Sequence, residues 1–478
     1  MKAIFSNTHL KRVNIFVLES MIPRLGSLAF LPFLFRYVST PIWAEIGLMI
    51  AISEILIKLY LFGFQSSIYR FANELSESQK NLVLNKLIKR ILLISFNVAI
   101  FFEVSQKFYW DFIFEFEFGL PMRTAILIST VSALNIFLIQ YIKSLRQSRK
   151  LFIGSTMYTL ICVFFQFSSI SYLSNNYGMD DRMMVTAYLV SIAIASIVRS
   201  FYYINFLTIK FSMTGASKKN NITDFLTYAK PAAGIGFIAI LVTHGIKLII
   251  QNNISLEILG KYFSYLSYAG IYFVIFSATQ AYLTPKLYTV LYKNSENYRI
   301  LLMYFWTISG FSYIIIFNKF SEILIPNNYR LDKKTFLIIF LIQIFSMSRT
   351  LSGIYFDIEK KLNLKFLFFG ISSLLFLIFA FMTNNLEEFL IANLIFYFLV
   401  GNLYLLYSRE IKLLINFNFL KISILLISFN YADSFFYYEN YLLFVFVLSI
   451  SFLLPKIIES YESLPNVNSG NGPWLSSE

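Results

Sequence analysis

The sequence predicts an all-α polytopic membrane protein with about fourteen transmembrane helices, and three observations support this prediction. Of its 478 residues, 57% are hydrophobic and only 14% are charged, whereas soluble domains are about 45–50% apolar and about 25% charged. The apolar residues fall in runs that match the roughly 20 residues needed to cross a bilayer. Lysine and arginine are concentrated in alternate connections between these runs, as in a chain that threads a membrane. A soluble enzyme, a disordered protein and a secreted disulfide scaffold are therefore excluded.

The predicted spans follow one another with short connections along the chain. Lys421 interrupts the thirteenth span, and the fourteenth is short. Spans of this number and length leave no room for a soluble catalytic domain. The predicted spans are 13–35, 42–64, 86–102, 122–142, 151–173, 183–207, 231–251, 260–284, 300–317, 335–356, 362–382, 389–407, 413–430 and 441–455.

The net charge of +14 is explained mainly by the way the chain is oriented in the membrane. Short loops rich in lysine and arginine face the cytoplasm, and such loops alternate with loops that are acidic or uncharged. One loop breaks the pattern, because Lys319, Arg330, Lys333 and Lys334 fall on the predicted outer side. The rest of the pattern predicts that both termini lie in the cytoplasm. The charge excess therefore gives no reason to expect a nucleic-acid partner.

The longest predicted cytoplasmic connection divides the first six spans from the next six. Pro23 and Gly26 interrupt the first span, and Pro231 with Gly234 interrupts the seventh. Such interruptions at corresponding positions of two halves point to a transporter site. We therefore predict an N-terminal lobe (1–207), a connection (208–230), a C-terminal lobe (231–410), two additional helices (411–460) and a disordered cytoplasmic tail (461–478).

Two groups of residues resemble the polysaccharide flippases of the multidrug/oligosaccharidyl-lipid/polysaccharide (MOP) exporter superfamily, which include the O-antigen flippases. The first lies in spans one and two, and the second is its counterpart in the other half. These are Leu31-Pro32-Phe33-Leu34-Phe35-Arg36-Tyr37-Val38-Ser39, Ile46-Gly47, Phe62-Gly63-Phe64 and Ser67-Ile68-Tyr69-Arg70-Phe71, then Tyr228-Ala229-Lys230-Pro231, Gly260-Lys261-Tyr262 and Thr284-Pro285-Lys286.

The resemblance implies a MATE-like fold, in which two six-helix lobes surround a central cavity and work by alternating access. It also implies the cargo, an undecaprenyl-pyrophosphate-linked oligosaccharide such as an O-antigen or capsule repeat unit. This cargo would be flipped from the cytoplasmic to the periplasmic leaflet, with a polysaccharide polymerase and a chain-length regulator as expected partners beside membrane lipids. The two additional spans depart from the twelve-span pattern of the family.

Several ionisable residues lie within the predicted spans, where a charge costs roughly 2.5–3.5 kcal/mol even on a lenient insertion scale. Arginine binds phosphate through two parallel hydrogen bonds, so a ring of Arg24, Arg199, Lys247 and Arg349 from both lobes is the candidate binding site for the pyrophosphate. Simpler explanations stay open for three of them: Lys247 extends to the outer interface, and Arg199 and Arg349 lie near cytoplasmic helix ends.

Two further groups complete the candidate site. Tyr262, Tyr265, Tyr268 and Tyr272 fall on one face of the eighth span, where their rings either line a glycan path or pack against other helices. The candidates for binding a coupling proton or sodium ion are Glu19, Glu54 and His244. A local ion pair of Glu54 with Lys58, one turn away, is the alternative for that carboxylate.

The sequence predicts neither a metal nor a cofactor site, and not an enzyme. Cys162 is the single cysteine, and the two histidines, His9 and His244, lie far apart without a cluster of ligands. A polysaccharide polymerase or a membrane glycosyltransferase would need a large outer loop or acidic residues in the first outer loop, and Ser39-Thr40-Pro41 has none. A multidrug exporter and a peptidoglycan-precursor flippase remain as alternatives on the same fold.

Overall fold

A computed structural model describes most of the chain between residues 21 and 408. The described residues are 21–23, 25–26, 29–71, 77–105, 119–144, 148–176, 181–206, 220–251, 253–287, 296–358 and 361–408, with the isolated residues 415, 416, 418 and 449. Every regular element within these ranges is helical. This confirms the predicted all-α class, which follows from the need to satisfy every backbone N–H and C=O inside a bilayer.

Fifteen α-helices can be followed through the described ranges. They are α1 (29–37), α2 (Thr40–Leu61), α3 (Phe64–Phe71), α4 (Glu77–Ser105), α5 (Gly119–Ser144), α6 (Ser148–Asn176), α7 (Asp181–Phe206), α8 (Asn220–Ile240), α9 (Ile246–Ile250), α10 (Leu256–Leu287), α11 (Glu296–Leu324), α12 (Lys333–Ser352), α13 (Ile354–Ile358), α14 (Leu362–Met382) and α15 (Leu386–Ser408). A π-helical turn, Leu241–Gly245, joins α8 to α9, and a 3₁₀ turn, Asn327–Tyr329, precedes α12.

Eight helical segments in the described part of the chain are long and apolar enough to cross a membrane. Helices α2, α4 and α10 occupy three more of the predicted spans, whereas 413–430 and 441–455 lie outside the described residues apart from isolated positions. The number of fourteen therefore stays a prediction. The eight segments are Leu120–Lys143, Arg149–Ser174, Met183–Phe206, Ala229–Ile250, Asn297–Leu324, Lys333–Phe356, Asn363–Met382 and Leu386–Ser408.

Large apolar side chains cover the outward faces of several of these helices. On α14, Leu374, Phe379, Phe381 and Met382 are all more than 60% exposed. A soluble protein rarely leaves apolar patches of this kind open to water. In a bilayer the same faces contact lipid chains, which agrees with a membrane location.

The chain forms two compact units, Met1–Phe263 and Ser264–Glu478, whose boundary falls within α10. In the first unit α7 packs against α5 and α6, and α2 packs against α5. In the second unit α12 and α14 both pack against α15. The predicted lobes (1–207 and 231–410) with their connection and additional helices stay predictions, and the tail 461–478 lies outside the described residues.

The basic residues that break the loop pattern have local partners in the second unit. Arg330 donates hydrogen bonds to the carbonyl oxygens of Ile325 (3.3 Å) and Glu322 (3.2 Å) at the C-terminal end of α11. This arrangement satisfies helix-end carbonyls and places a cation at the negative end of the helix dipole. Lys334 forms an ion pair with Glu387 at the start of α15. Local pairing thus gives these two charges a structural role that the orientation rule does not include.

The turn between α2 and α3 requires glycine at position 63. Gly63 has a φ of +75°, and an added Cβ would lie 2.1 Å from the carbonyl oxygen of Ala229 on α8. The preceding Phe62 also has a positive φ of 41° and lies under the guanidinium of Arg90, 4.4 Å from its ring centre. The absence of a side chain at Gly63 therefore lets α8 approach this turn closely.

We expect Gly63→Ala to lower the free energy of unfolding by about 1–3 kcal/mol, because the left-handed backbone and the contact with Ala229 both oppose a Cβ. Gly236→Ala, with no atom within 4 Å of its added Cβ, is the matched control and should be neutral or slightly stabilising. Thermal unfolding in detergent compares the two. Equal stability of both variants would contradict this explanation of the turn.

Candidate functional site

Arg199 is the centre of a cluster formed by three helices of the first unit. It lies on α7, and its Nε donates a 3.3 Å hydrogen bond to Oδ1 of Asn135 on α5. Its guanidinium lies 4.1 Å from the ring centre of Tyr158 on α6. We call Asn135, Tyr158 and Arg199 the Arg199 cluster.

Asn135 fixes the orientation of this cluster. Its side chain is fully buried, and its Nδ2 donates a 2.7 Å hydrogen bond to the carbonyl oxygen of Ser196, which lies on α7 one turn before Arg199. With the amide nitrogen engaged in this way, the amide oxygen is directed at Nε of Arg199. The two terminal nitrogens of the guanidinium, the groups that form a fork with a phosphate, stay outside this hydrogen bond.

In the second unit, the guanidinium of Arg349 also lies against aromatic rings. This arginine lies on α12, and its guanidinium is 5.0 Å from the ring centre of Phe369 on α14 and 5.3 Å from that of Tyr397 on α15. We call Arg349, Phe369 and Tyr397 the Arg349 cluster. Within the described residues, neither Arg199 nor Arg349 pairs with a carboxylate.

Lys247 and two of the proposed ion-coupling residues lie in the first unit. The Nζ atom of Lys247, on α9, is 5.2 Å from the ring centre of Phe263. His244 belongs to the π-helical turn that precedes α9, a backbone form that occurs frequently at functional sites. Glu54 is half-buried on α2, where its carboxylate attracts the ammonium of Lys58 one turn later. Arg24 and Glu19 lie outside the described residues, so their predicted roles stay predictions.

The tyrosine face of α10 is buried within the protein. Tyr265 and Tyr268 are only 4% and 2% exposed. In the second unit, the hydroxyl of Tyr268 donates to the carbonyl oxygen of Leu324 (3.3 Å), and the ring of Tyr265 lies 5.5 Å from that of Phe336. Tyr272, also buried, bonds through its hydroxyl to Trp306 and Ser309. These contacts match the alternative interpretation from the sequence, in which the tyrosine rings pack against other helices. Contact of these rings with a glycan stays a prediction.

Several site residues were not identified from the sequence. Asn135 is an amide within an apolar run, and that polarity was an available signal. Tyr158, Phe369 and Tyr397 are single aromatic residues in a chain that is 19% aromatic, so nothing in the local pattern distinguishes them. Within the described part of the chain, no group of three His, Cys, Asp or Glu side chains comes close enough to hold a metal ion.

The fold agrees with that of solved transporters. A multidrug resistance MATE family transporter of the MOP superfamily, in an outward-facing conformation, has a TM-score of 0.60 and 11% identity, over 86% of this chain and 97% of its own. A MATE transporter in complex with MaD5 has a TM-score of 0.58 and 11% sequence identity, and the match covers 86% of this chain and 96% of that transporter. A MOP superfamily transporter from Pyrococcus furiosus has a TM-score of 0.57 and 12% sequence identity, and the match covers 84% of this chain and 95% of that transporter.

At these identities the likeness establishes the fold alone. It confirms the predicted MATE-like architecture, and the similar structures are transporters rather than enzymes. Neither a protein-family model nor a curated protein matches the sequence.

The buried amide of Asn135 gives a direct test of the Arg199 cluster. We expect Asn135→Leu to lower the free energy of unfolding by about 1–3 kcal/mol, because the carbonyl of Ser196 and the guanidinium of Arg199 both lose a buried partner. The control is Asn97→Leu on α4, whose amide is exposed and bonds only to Leu93 of its own helix (2.8 Å); it should change stability by less than about 0.5 kcal/mol. Unfolding in detergent measures both, and equal losses would show that Asn135 has no special role.

Proposed function

We propose that this protein flips an undecaprenyl-pyrophosphate-linked oligosaccharide, an O-antigen or capsule repeat unit, from the cytoplasmic to the periplasmic leaflet. The observation that carries the proposal is a pair of arginines, Arg199 and Arg349, one in each unit. Both lie on membrane-spanning helices, rest on aromatic rings and have no carboxylate partner within the described residues. The transporter fold supports the general activity, and the two cations support an anionic cargo.

The electrostatics of a bilayer explain why such cations suit this cargo. A pyrophosphate group that crosses a region of low dielectric needs compensating positive charge, and a cation without a carboxylate partner is itself costly there. An aromatic face offsets part of that cost, by about 2 kcal/mol when the contact is desolvated. The planar guanidinium still has N–H groups along its edge with which to bind phosphate oxygens.

The charge of the binding site also separates this proposal from export of cationic drugs. The similar Pyrococcus furiosus transporter is described as having a binding pocket of reverse polarity that suggests a different function. In the present chain Arg199, Lys247 and Arg349 all lie on spanning segments, whereas Glu54 already attracts Lys58. This balance favours an anionic cargo over a multidrug exporter. A peptidoglycan-precursor flippase would also bind a pyrophosphate, so it remains the alternative that differs only in the attached sugar.

The setting of the proposed reaction follows from the cargo. The family resemblance implies a cargo that starts in the cytoplasmic leaflet, so we place the protein in the bacterial inner membrane. The alternation of loops rich in lysine and arginine favours both termini in the cytoplasm. A polysaccharide polymerase and a chain-length regulator would act on the flipped product as partners.

Removing either arginine should impair transport. We expect Arg199→Ala and Arg349→Ala each to lower complementation of a flippase-null strain by about tenfold or more, since a hydrogen bond to a charged group contributes about 1.5–3 kcal/mol. Arg123→Ala is the matched control: this arginine lies on the same helix as Asn135, but it is exposed and pairs with Glu103 (2.6 Å). Full activity of both test variants at normal expression would reject the site. Export of a cationic dye that persists in both variants would favour the multidrug exporter.

We propose that Glu19, Glu54 or His244 binds the coupling ion, a proton or a sodium ion. We expect Glu54→Gln, which cannot change its protonation, to make the transport rate in vesicles independent of an imposed pH gradient. The exposed carboxylate of Glu103 provides the control variant Glu103→Gln. Unchanged pH and sodium dependence in the single replacements of all three residues would rule out this coupling scheme.

A further inference from the structure

Two serines on α7 keep their hydroxyl groups apart from the helix backbone. In an apolar helix, a serine or threonine hydroxyl can donate to the backbone carbonyl of the preceding turn. Thr124 on α5 and Ser191 on α7 do so, at 2.9 Å and 2.8 Å from carbonyl oxygens four residues earlier. Ser196 and Ser200 are only 1% and 5% exposed, and within the described residues their hydroxyl oxygens have no hydrogen-bond partner. These two groups therefore lack the partner that buried polar groups normally have.

The position of Asn135 explains why Ser200 lacks the usual acceptor. That acceptor would be the carbonyl oxygen of Ser196, four residues earlier on α7. This carbonyl already accepts a 2.7 Å hydrogen bond from Nδ2 of Asn135 on α5. The contact that orients the Arg199 cluster thus also leaves a hydroxyl donor available next to the arginine.

Both serines lie on the side of α7 that carries Arg199. Arg199 and Ser200 follow Ser196 by three and four residues, a spacing that brings side chains together on one helix face. That face meets α5 and α6, because Arg199 donates to Asn135 (3.3 Å) and lies against the ring of Tyr158. The guanidinium and the two hydroxyl groups thus form one group of hydrogen-bond donors.

The chemistry of this group selects an anion. Guanidinium and hydroxyl groups donate hydrogen bonds, and phosphate oxygens accept several such bonds at once. Among the residues that the structure describes, no carboxylate pairs with Arg199. A cationic or purely apolar ligand would leave both hydroxyl groups without an acceptor. A pyrophosphate would supply acceptors to the guanidinium and to both hydroxyl groups.

We propose that Ser196 and Ser200 bind phosphate oxygens of the cargo together with Arg199, an inference that rests on the proposed function. Arg199 supplies the positive charge, and the serines supply two further donors from the same helix face. Because both hydroxyl groups are buried in this structure, the pyrophosphate reaches them when α7 and its neighbours move apart during transport. The cost of two unpartnered hydroxyl groups is then offset only while cargo is bound.

Equilibrium binding of undecaprenyl pyrophosphate to the full chain in nanodiscs tests this role in Ser196→Ala and Ser200→Ala. The matched control is Ser191→Ala, the same change at a buried serine of the same helix whose hydroxyl already donates to Ala187 (2.8 Å). Inorganic pyrophosphate serves as a competitor that separates a lipid-linked head group from a free anion. Thermal unfolding of the ligand-free variants shows whether the hydroxyl groups support the fold.

We expect Ser196→Ala and Ser200→Ala each to weaken binding about tenfold, because each removes a hydrogen bond to a charged group. Their unfolding temperatures without ligand should equal or exceed that of the unmodified protein, since each change removes a buried hydroxyl without a partner. Ser191→Ala should bind like the unmodified protein. Inorganic pyrophosphate at equal concentration should not displace the lipid, because it lacks an apolar chain.

Binding by both test variants as tight as that of Ser191→Ala would overturn the role of the serines while leaving the proposed function in place. Unfolding temperatures of both test variants below that of Ser191→Ala would also overturn it, because the hydroxyl groups would then support the fold. Displacement by inorganic pyrophosphate at equal concentration would assign the serines to a free anion and overturn their role toward the cargo. Absence of undecaprenyl pyrophosphate binding to the unmodified protein would instead reject the proposed function.

Discussion

The cost of a cation inside an apolar helix bundle governs how the candidate site is built. Arg199 and Arg349 both lie on membrane-spanning helices, where a charge costs several kcal/mol unless it has a partner. In each unit aromatic rings lie against the guanidinium, at 4.1 Å for Arg199, which also donates to Asn135, and at 5.0 Å and 5.3 Å for Arg349. An aromatic face lowers the cost of the charge without neutralising it. The positive charge therefore stays available to a phosphate.

The rest of the first unit fixes where this charge lies. Asn135 joins α5 to α7 through the carbonyl of Ser196, so the guanidinium depends on the packing of both helices. The close approach of α8 to the α2–α3 turn at Gly63 and the packing of α2 on α5 extend that support. Helix packing in the first unit thus determines where this cation lies.

The sequence predicted the fold and part of the site, for reasons that differ. Long apolar runs specify helices because a bilayer offers the backbone no other partner, and a charge in such a run is visible without a structure, as with Arg199 and Arg349. Contacts between helices are not visible in this way: Asn135 and Tyr158 lie 64 and 41 residues from Arg199 along the chain, and nothing local joins them. The tyrosines of α10 show the same limit, because one spacing suits both a glycan path and the packing contacts of Tyr265 and Tyr268.

The central claim is that an intramembrane arginine binds the pyrophosphate of a lipid-linked cargo. The most direct measurement is a structure of the full chain in a nanodisc with undecaprenyl pyrophosphate bound. We predict phosphate oxygens within roughly 2.7–2.9 Å of the guanidinium nitrogens of Arg199 or Arg349. Phosphates bound only by lysines between the spanning segments, such as Lys361, with no contact to either guanidinium, would contradict the claim.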